Sequence, residues 1–408
     1  MRLIIMTIRF AEKPLFPAFS FFLATLALWA PVLSAHSGAT VMAWGAGKTI
    51  NTSDGHDFGQ SIVPASLTNA VQLAGGEWHS LALEANGTLS GWGDDSVGEL
   101  DFFGGTNYVA IACGALHSLA LQSNGIVVAS AGWDAFGQVD VPAGLSNVVA
   151  IACGFYHSVA LKSDGTVVAW GANGTVGQYP NYGQAIIPVG LSNVVAIAAE
   201  GYHTMTLKSD GTVAEWGDQA SWGGTIPPGL SNVVAIATGA EHNVALLAGG
   251  TLVVWGTNTY GQTNVPAGLS NVVAIAAGAW HTLALKNNGT VVAWGSGGVS
   301  NNYGQTIVPA GLSNVVQVAG GWYHSLALKG SGPPVLTAPL EVKDLGANGL
   351  DLASSTFNGR VYQLQYANSL TGPIWIALPL QAGTGGSLNL NDPSAAAVTQ
   401  RFYRLNRW

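Results

Sequence analysis

The residues of this chain best suited to acid–base, nucleophilic or metal chemistry are its nine histidines and two cysteines. Seven of the histidines, His79, His117, His157, His203, His242, His281 and His324, follow one another at steps of 38, 40, 46, 39, 39 and 43 residues. A metal site needs several ligands converging on one point, and a periodic array holds its members apart. Neither metal binding nor catalysis is therefore expected of the set. A partly buried imidazole donating to a backbone carbonyl at a recurring corner fits better. Acidic residues gather at Asp54 and Asp57 and at Asp94, Asp95, Glu99 and Asp101. Neither group has the spacing of a calcium loop, so a solvated acidic edge is expected. No nucleophile elbow, zinc-protease helix, phosphate-binding loop, dinucleotide turn or Cys-x-x-Cys pair occurs. The reading is a non-enzyme with no metal and no cofactor, although catalytic groups could still converge from distant loops of one surface.

What positions the histidines is a repeat, clearest in residues 268–295, GLSNVVAIAAGAWHTLALKNNGTVVAWG. His281, Leu283 and Leu285 alternate with Thr282 and Ala284, and Val291, Val292 and Trp294 follow an Asn288-Gly289 pair. Period-two alternation joined by Asn-Gly predicts a β-hairpin with a two-residue turn. Asn86-Gly87, Asn124-Gly125, Asp164-Gly165, Asp210-Gly211 and Gly249-Gly250 occupy the same join. The preceding NVVAIAAG is apolar on both sides, as a strand between two sheets should be. Trp44, Trp92, Trp170, Trp216, Trp255 and Trp294, with Ser130 in third place, mark the last strand of each unit and read as structural plugs. The array enters on VMAWG with no preceding HxLAL strand and leaves on HSLAL with no following VVAWG. Each end lacks what the other supplies. The expected fold is all-β, a seven-bladed β-propeller closed by pairing residues 41–44 with residues 325–329, which removes the open edge.

The units, as in VVWGTNTYGQTNVPAGLSNVVAIAAGAWHTLALKNNG, resemble the regulator of chromosome condensation repeat in their WG, their YGQ and their AAG-xx-HTLAL core. The resemblance spans residues 41–329. Its short period and GQTxVPAGLSNV phrasing are similar to an exported bacterial branch of that family, which includes a β-lactamase inhibitor. It implies a seven-bladed propeller. For function it implies only a choice, because the family contains exchange factors, ubiquitin-ligase accessory domains, a plant photoreceptor and enzyme inhibitors. In a sevenfold ring, Cys113 and Cys153 occupy equivalent positions of neighbouring units, about 0.87 of the radius apart; a disulfide then needs a radius of roughly 6 to 8 Å, beside the central channel. A cross-blade disulfide formed in an oxidising compartment and two buried free thiols are both open.

Residues 1–35 carry Arg2, Arg9 and Lys13, an apolar run over residues 15–33 and a small-residue exit at Ser34-Ala35. They read as a secretory signal peptide cleaved near Ala35, the alternative being an uncleaved anchor. A secreted or cell-envelope protein is expected, with no membrane span after signal removal. Residues 36–329 are the propeller, residues 330–334, GSGPP, a linker, and residues 335–408 a small β-sandwich with Val361, Leu364, Tyr366 and Trp375 in its core. Between residues 36 and 332 five lysines face sixteen acids, a balance of −11. Such a surface repels phosphate backbones, and nucleic acid is excluded as a partner.

Function is expected where the units differ. The loops after the WG pairs of units one, four and seven are the long ones, and they put Phe58, Tyr179, Tyr182 and Tyr303 on one face of the disc. Aromatic groups on a polar, acidic rim have the composition of a protein-binding surface. Blade-edge packing is the competing use of these Tyr-Gly-Gln elements, Tyr260 and Tyr303 above all. The functional expectation is an exported, monomeric, non-catalytic scaffold that binds a macromolecule through this face, with protein preferred. Enzyme inhibition, by the resemblance, and carbohydrate binding, by stacking on Trp and Tyr, are the alternatives.

Overall fold

The computed structural model describes residues 6–9, 39–51, 55–102, 106–172, 177–218, 224–297, 302–331, 341–346, 349–356, 360–369, 375–384, 387–395 and 400–407. Among them no helix is long and apolar enough to cross a membrane. Seven three-stranded antiparallel sheets carry the repeats. Blade 1 is Ala70–Gly75, His79–Glu84 and Leu89–Gly93. Blade 2 is Tyr108–Cys113, Ser118–Gln122 and Val127–Ala129, and blade 3 is Val148–Cys153, His157–Lys162 and Val167–Gly171. Blades 4, 5 and 6 repeat the plan from Val194–Glu200, Val233–Thr238 and Val272–Ala277. Blade 7 takes Val315–Gly320 and His324–Lys329 from one end of the array and Thr40–Gly45 from the other. The closing register runs from Thr40 opposite Lys329 to Gly45 opposite His324. The ring closes as the sequence predicts, because an unpaired edge on either end strand would leave a row of backbone groups unsatisfied.

The hairpin turns differ from expectation. Gly87 N donates to Glu84 O at 2.9 Å and Glu84 N to Thr88 O at 2.9 Å, so the loop has three residues and only its glycine has a positive φ, of 80°. A third residue lets the loop be a type I turn closed by a left-handed glycine. Asn86 Oδ1 then accepts from Thr88 N at 2.9 Å.

Blades stack by size. Leu81 and Leu83 of blade 1 pack against Ile111 and Ala120 of blade 2, Leu119 and Leu121 of blade 2 against Val148 and Ala160 of blade 3, and Leu326 and Leu328 of blade 7 against Leu73 and Ala82 of blade 1. The seam across the closure is thus chemically the same as the others. A bulky face filled by the small face of its neighbour leaves no void. Stacking also settles the cysteines. Cys113 lies in the seam between blades 1 and 2, Cys153 in the seam between blades 2 and 3, and both are buried free thiols. The cross-blade disulfide is not formed, because the two side chains enter different seams. Burial pushes the Cys113 thiol up to about 12.

The C-terminal unit has two sheets. Glu341–Gly346, Gly349–Ser355 and Ser387–Asp392 form one. Val361–Ala367 and Gln400–Arg407 lead the other, which also carries Met6–Arg9, from the expected leader, against Gln400–Tyr403. Leu352, Leu364, Leu390, Tyr403 and Leu405 from both sheets share one core. Within it Arg401 pairs with the fully buried Asp392, which also accepts from Tyr403 Oη at 2.9 Å. Two of the expected core residues serve elsewhere. Val361 packs with Leu380 on Val195 and Leu207 of the propeller, and Trp375 lies under the Arg404 guanidinium, 4.3 Å from its centroid. Most of the expected linker, residues 332–334, lies outside the described residues. Leu380 N donates to Ser209 O at 2.9 Å. Ser209 follows the far end of the blade 4 middle strand, His203–Lys208, so the C-terminal unit is seated away from the end at which the histidines stand.

Candidate functional site

Each repeated histidine begins the middle strand of its blade, or stands just before it in blade 2, and is fully buried. Its Nε2 meets the polar group that follows the histidine of the next blade. The distances are 2.9 Å from His79 to Ser118 Oγ, 3.0 Å from His117 to Ser158 Oγ and 2.9 Å from His157 to Thr204 Oγ1. They continue at 3.0 Å from His203 to Asn243 Oδ1, 2.9 Å from His242 to Thr282 Oγ1 and 2.9 Å from His281 to Ser325 Oγ. His324 to Ser80 Oγ, at 2.8 Å, completes the circle. Ser80 Oγ itself donates to Gln60 O at 3.0 Å, so its oxygen must accept and His324 Nε2 must carry the proton. The expected acceptor, a backbone carbonyl, is therefore replaced by a hydroxyl of the next blade, or for His203 by the Asn243 amide oxygen. The carbonyl is taken, since Gln60 O also receives Trp92 Nε1 at 2.9 Å. Nδ1 of all seven rings is buried with no partner among the described residues. Burial pushes His79 and His203 down to about 4 and the other five to about 3. These are neutral structural groups, one per seam, and each Nε2 meets a different residue rather than a common point.

The Tyr-Gly-Gln elements divide their labour. The glutamine is buried and folds back to accept from the backbone N–H two residues earlier, at 2.9 Å for Phe58, 2.7 Å for Tyr182 and 2.7 Å for Tyr303. Its own carbonyl takes the indole of the WG pair, as at Trp44 to Gln305 O, 2.8 Å, and Trp170 to Gln138 O, 3.0 Å. The glycine of WG must lack a side chain. At Gly45, with φ 111°, a Cβ would run into the Tyr323 carbonyl of the opposite turn. Blade 5 has no such glutamine, and there Glu215 accepts from Asn243 Nδ2 at 2.8 Å and Trp255 Nε1 at 3.3 Å. Glu99 stands in the glutamine's place in another loop; it is 1 % exposed and accepts from Val97 N at 3.2 Å. It is a buried staple rather than part of a solvated edge. Asp54 lies outside the described residues.

Glutamine stapling fixes the aromatic residue before it on one face of the ring. That face is completed by the two residues between the repeat glycine and the histidine. Five aromatic pairs result, with ring centroids 5.4 Å apart for Phe58 and Trp78, 4.9 Å for Phe136 and Tyr156 and 5.2 Å for Tyr182 and Tyr202. Tyr260 and Trp280 are 6.0 Å apart and Tyr303 and Tyr323 5.3 Å. Tyr179, 60 % exposed, shares a 2.9 Å hydroxyl contact with Tyr156. His56, from the first long loop, stacks on Tyr303, from the last, at 4.9 Å, as ring closure requires. All four aromatic residues singled out in the sequence thus lie on one surface, each touching a residue of the Gly-x-x-His turns.

The middle of this face is plugged. Ala115, Phe155, Ala240 and Ala279, one from each of four blades, share a cluster with Trp322, and the Phe155 and Trp322 rings are 4.3 Å apart. Trp322 Nε1 donates to Glu200 Oε1 at 3.0 Å, from blade 7 to blade 4. Three acids stand among the rings. Burial raises Glu200 to about 7 and Glu77 to about 9, the latter helped by the charges of Glu200, Asp94 and Glu99. Glu241 is raised by burial and accepts from Trp280 Nε1 at 3.1 Å. Sequence reasoning on loop length missed this inner set. The pointer was available in the two residues of Gly-x-x-His, which vary between units whose flanks are nearly constant.

Four stretches, residues 70–99, 148–178, 233–262 and 272–305, match the family model of the regulator of chromosome condensation (RCC1) repeat. Four of the seven blades are RCC1 repeats. The matches begin on the first strands of blades 1, 3, 5 and 6; in the unmatched units Ser130 replaces a Trp, Glu200 replaces the repeat glycine, and blade 7 is split between the chain ends. Human WBSCR16 is similar in structure, with a TM-score of 0.53 at 18 % identity over 71 % of this chain and 98 % of that one. Prp20p from Saccharomyces cerevisiae gives 0.55 at 20 % identity over 73 % and 92 %. The same yeast protein bound to Kap60 gives 0.53 at 18 % over 78 % and 97 %. At these identities the likeness establishes the RCC1 fold alone. No curated protein sequence matches the chain.

Proposed function

We propose that this protein is an exported, non-catalytic scaffold that binds a protein partner through the aromatic face, with the C-terminal unit attaching or spacing the ring. The observation that carries the reading is the circle of five aromatic pairs around a plugged centre. Aromatic anchors held by neighbours and set among acids have the makings of interface hot spots. The C-terminal unit is seated at the other end of the blade strands and leaves the face open. Prp20p, which shares the fold, is described with binding properties to Gsp1p and histones and in complex with Kap60, so propellers of this kind do serve as protein-binding platforms. Export rests on the leader. The non-catalytic role rests on the seven imidazoles being sealed in seams. Most ring pairs meet edge to face, at 65° for Phe136 and Tyr156 and 77° for Tyr182 and Tyr202, which holds each ring in place as a rigid anchor.

The test is capture from the secretome and cell envelope of the source organism with full-length protein, alongside retention on polysaccharide columns. A retained protein lost by Tyr179→Ala, with a cost of about 1 to 3 kcal/mol, supports the reading. Retention on polysaccharide alone, or turnover of a substrate panel, overturns it. A captured enzyme whose activity falls on binding would make the scaffold an inhibitor.

A further inference from the structure

We propose that the aromatic face, at Glu77 beside its plugged centre, is a receptor for one cationic side chain, a lysine ammonium or an arginine guanidinium of the partner, with Glu77 as its counter-ion. The proposal rests on the protein-binding reading and gives it a chemical specificity. Glu77 is 8 % exposed, yet among the described residues its carboxyl has no hydrogen bond and no ion pair. A buried carboxyl is ordinarily paired or bonded. The titratable groups that face it are Glu200 of blade 4, Asp94 and Glu99 of the loop after blade 1, and the phenols of Tyr156, Tyr202 and Tyr323. All are acids, contributed by elements all around it, and none can neutralise it.

Four of the five propeller lysines stand at the other end of the blades, and the fifth, Lys48 of the first long loop, lies beside Gly304 and is not among the charges that act on Glu77. Lys162, Lys208, Lys286 and Lys329 each terminate a middle strand that begins at the histidine. Lys162 and Lys208 face Asp164 and Asp210 of the hairpin turns at 3.2 and 3.8 Å. Four of the five propeller lysines are thereby unavailable to Glu77. An arriving cation would find a desolvated carboxyl beside Trp78, whose ring, with those of Trp322 and Tyr323, supplies cation–π attraction. It would also compensate the charge that burial penalises. With Glu77 raised to about 9, the free carboxyl holds its proton at neutral pH. Binding a cation then releases that proton to solvent, and affinity rises as pH approaches 9.

The experiment titrates full-length protein at constant ionic strength with n-butylguanidinium chloride, n-butylammonium chloride and n-butanol, following tryptophan fluorescence at pH 7 and pH 8.5. At least one cation should saturate at about ten-fold or more lower concentration than the alcohol, and should bind more tightly at the higher pH. Glu77→Gln, which keeps the shape and removes the charge, should abolish the difference. The idea fails if butanol titrates like the cations in the wild-type protein, a comparison that needs no variant, or if Glu77→Gln binds them unchanged. With a captured partner, Glu77→Gln retaining it while Tyr202→Ala loses it would sink this proposal and leave the protein-binding reading standing. Retention by both variants would sink the two together.

Discussion

At the scale of single residues, the seven histidines show how a titratable group becomes structural. Six donate across a seam to a hydroxyl oxygen whose hydrogen is already committed, and His203 to the Asn243 amide oxygen, which has none to give, so the bond leaves no freedom in tautomer or direction. Removing one acceptor strands a buried N–H. Ser158→Ala deprives His117 Nε2 of its partner at 3.0 Å and should cost about 1 to 3 kcal/mol, read as a lower urea midpoint with an unchanged slope. A loss no larger than that of a surface serine would mean that the seam bond contributes nothing. The same logic explains the substitution in blade 5, where Asn243 supplies an acceptor to His203 and a donor to Glu215, doing the work of the hydroxyl while Glu215 does that of the glutamine carbonyl.

At the scale of elements, the strand Thr40–Gly45 decides whether the array is a ring. Trp44, 3 % exposed, is its plug and reaches Gln305 O across the closure. Trp44→Ala should destabilise by about 3 to 5 kcal/mol. Deleting residues 1–45 should go further and expose the edge of His324–Lys329, giving multimers in sedimentation velocity beyond any given by deleting residues 1–38, which uncovers only Gln400–Tyr403 of the C-terminal sheet. A monodisperse, cooperatively unfolding product of the longer deletion would show that closure is dispensable.

At the scale of the whole molecule, stability should depend on pH through two opposed sets of groups. The histidines are depressed from their ordinary value near 6.5 to about 3 or 4, so below about pH 6.5 the unfolded chain binds protons that the fold refuses. Their contribution is present above that value and is lost as pH falls toward 4. Glu77, Glu200 and Glu215 are raised to about 9, 7 and 7, so the fold keeps protons there that the unfolded chain gives up. Their contribution is full below about pH 4.5 and is lost as pH rises from there through 7 for Glu200 and Glu215 and through 9 for Glu77. The two trends place maximal stability at about pH 6.5, with the steeper fall on the acid side, where seven histidines outweigh three glutamates. Urea midpoints measured from pH 4 to pH 9 check it. A midpoint still rising below pH 6 would contradict neutral, buried imidazoles.

Much of this was legible in the sequence, because a β-repeat writes its short-range physics once per unit. Period-two alternation, the Asn-Gly joins and the complementary deficits at Trp44 and His324 determined strand, blade count and closure, all properties of neighbours in the chain or of the array's two ends. The aromatic residues of the long loops were visible for the same reason. What only the tertiary structure decided is what depends on which side chains share a seam or an axis. Cys113 and Cys153 stand at equivalent positions yet enter different seams. The histidine's acceptor belongs to the next blade, some forty residues away, as in His79 to Ser118. The Gly-x-x-His residues become one surface only when seven turns are brought around a common axis, and Glu77 becomes an uncompensated buried acid only there, because periodic sequence records spacing along the chain and not convergence across it.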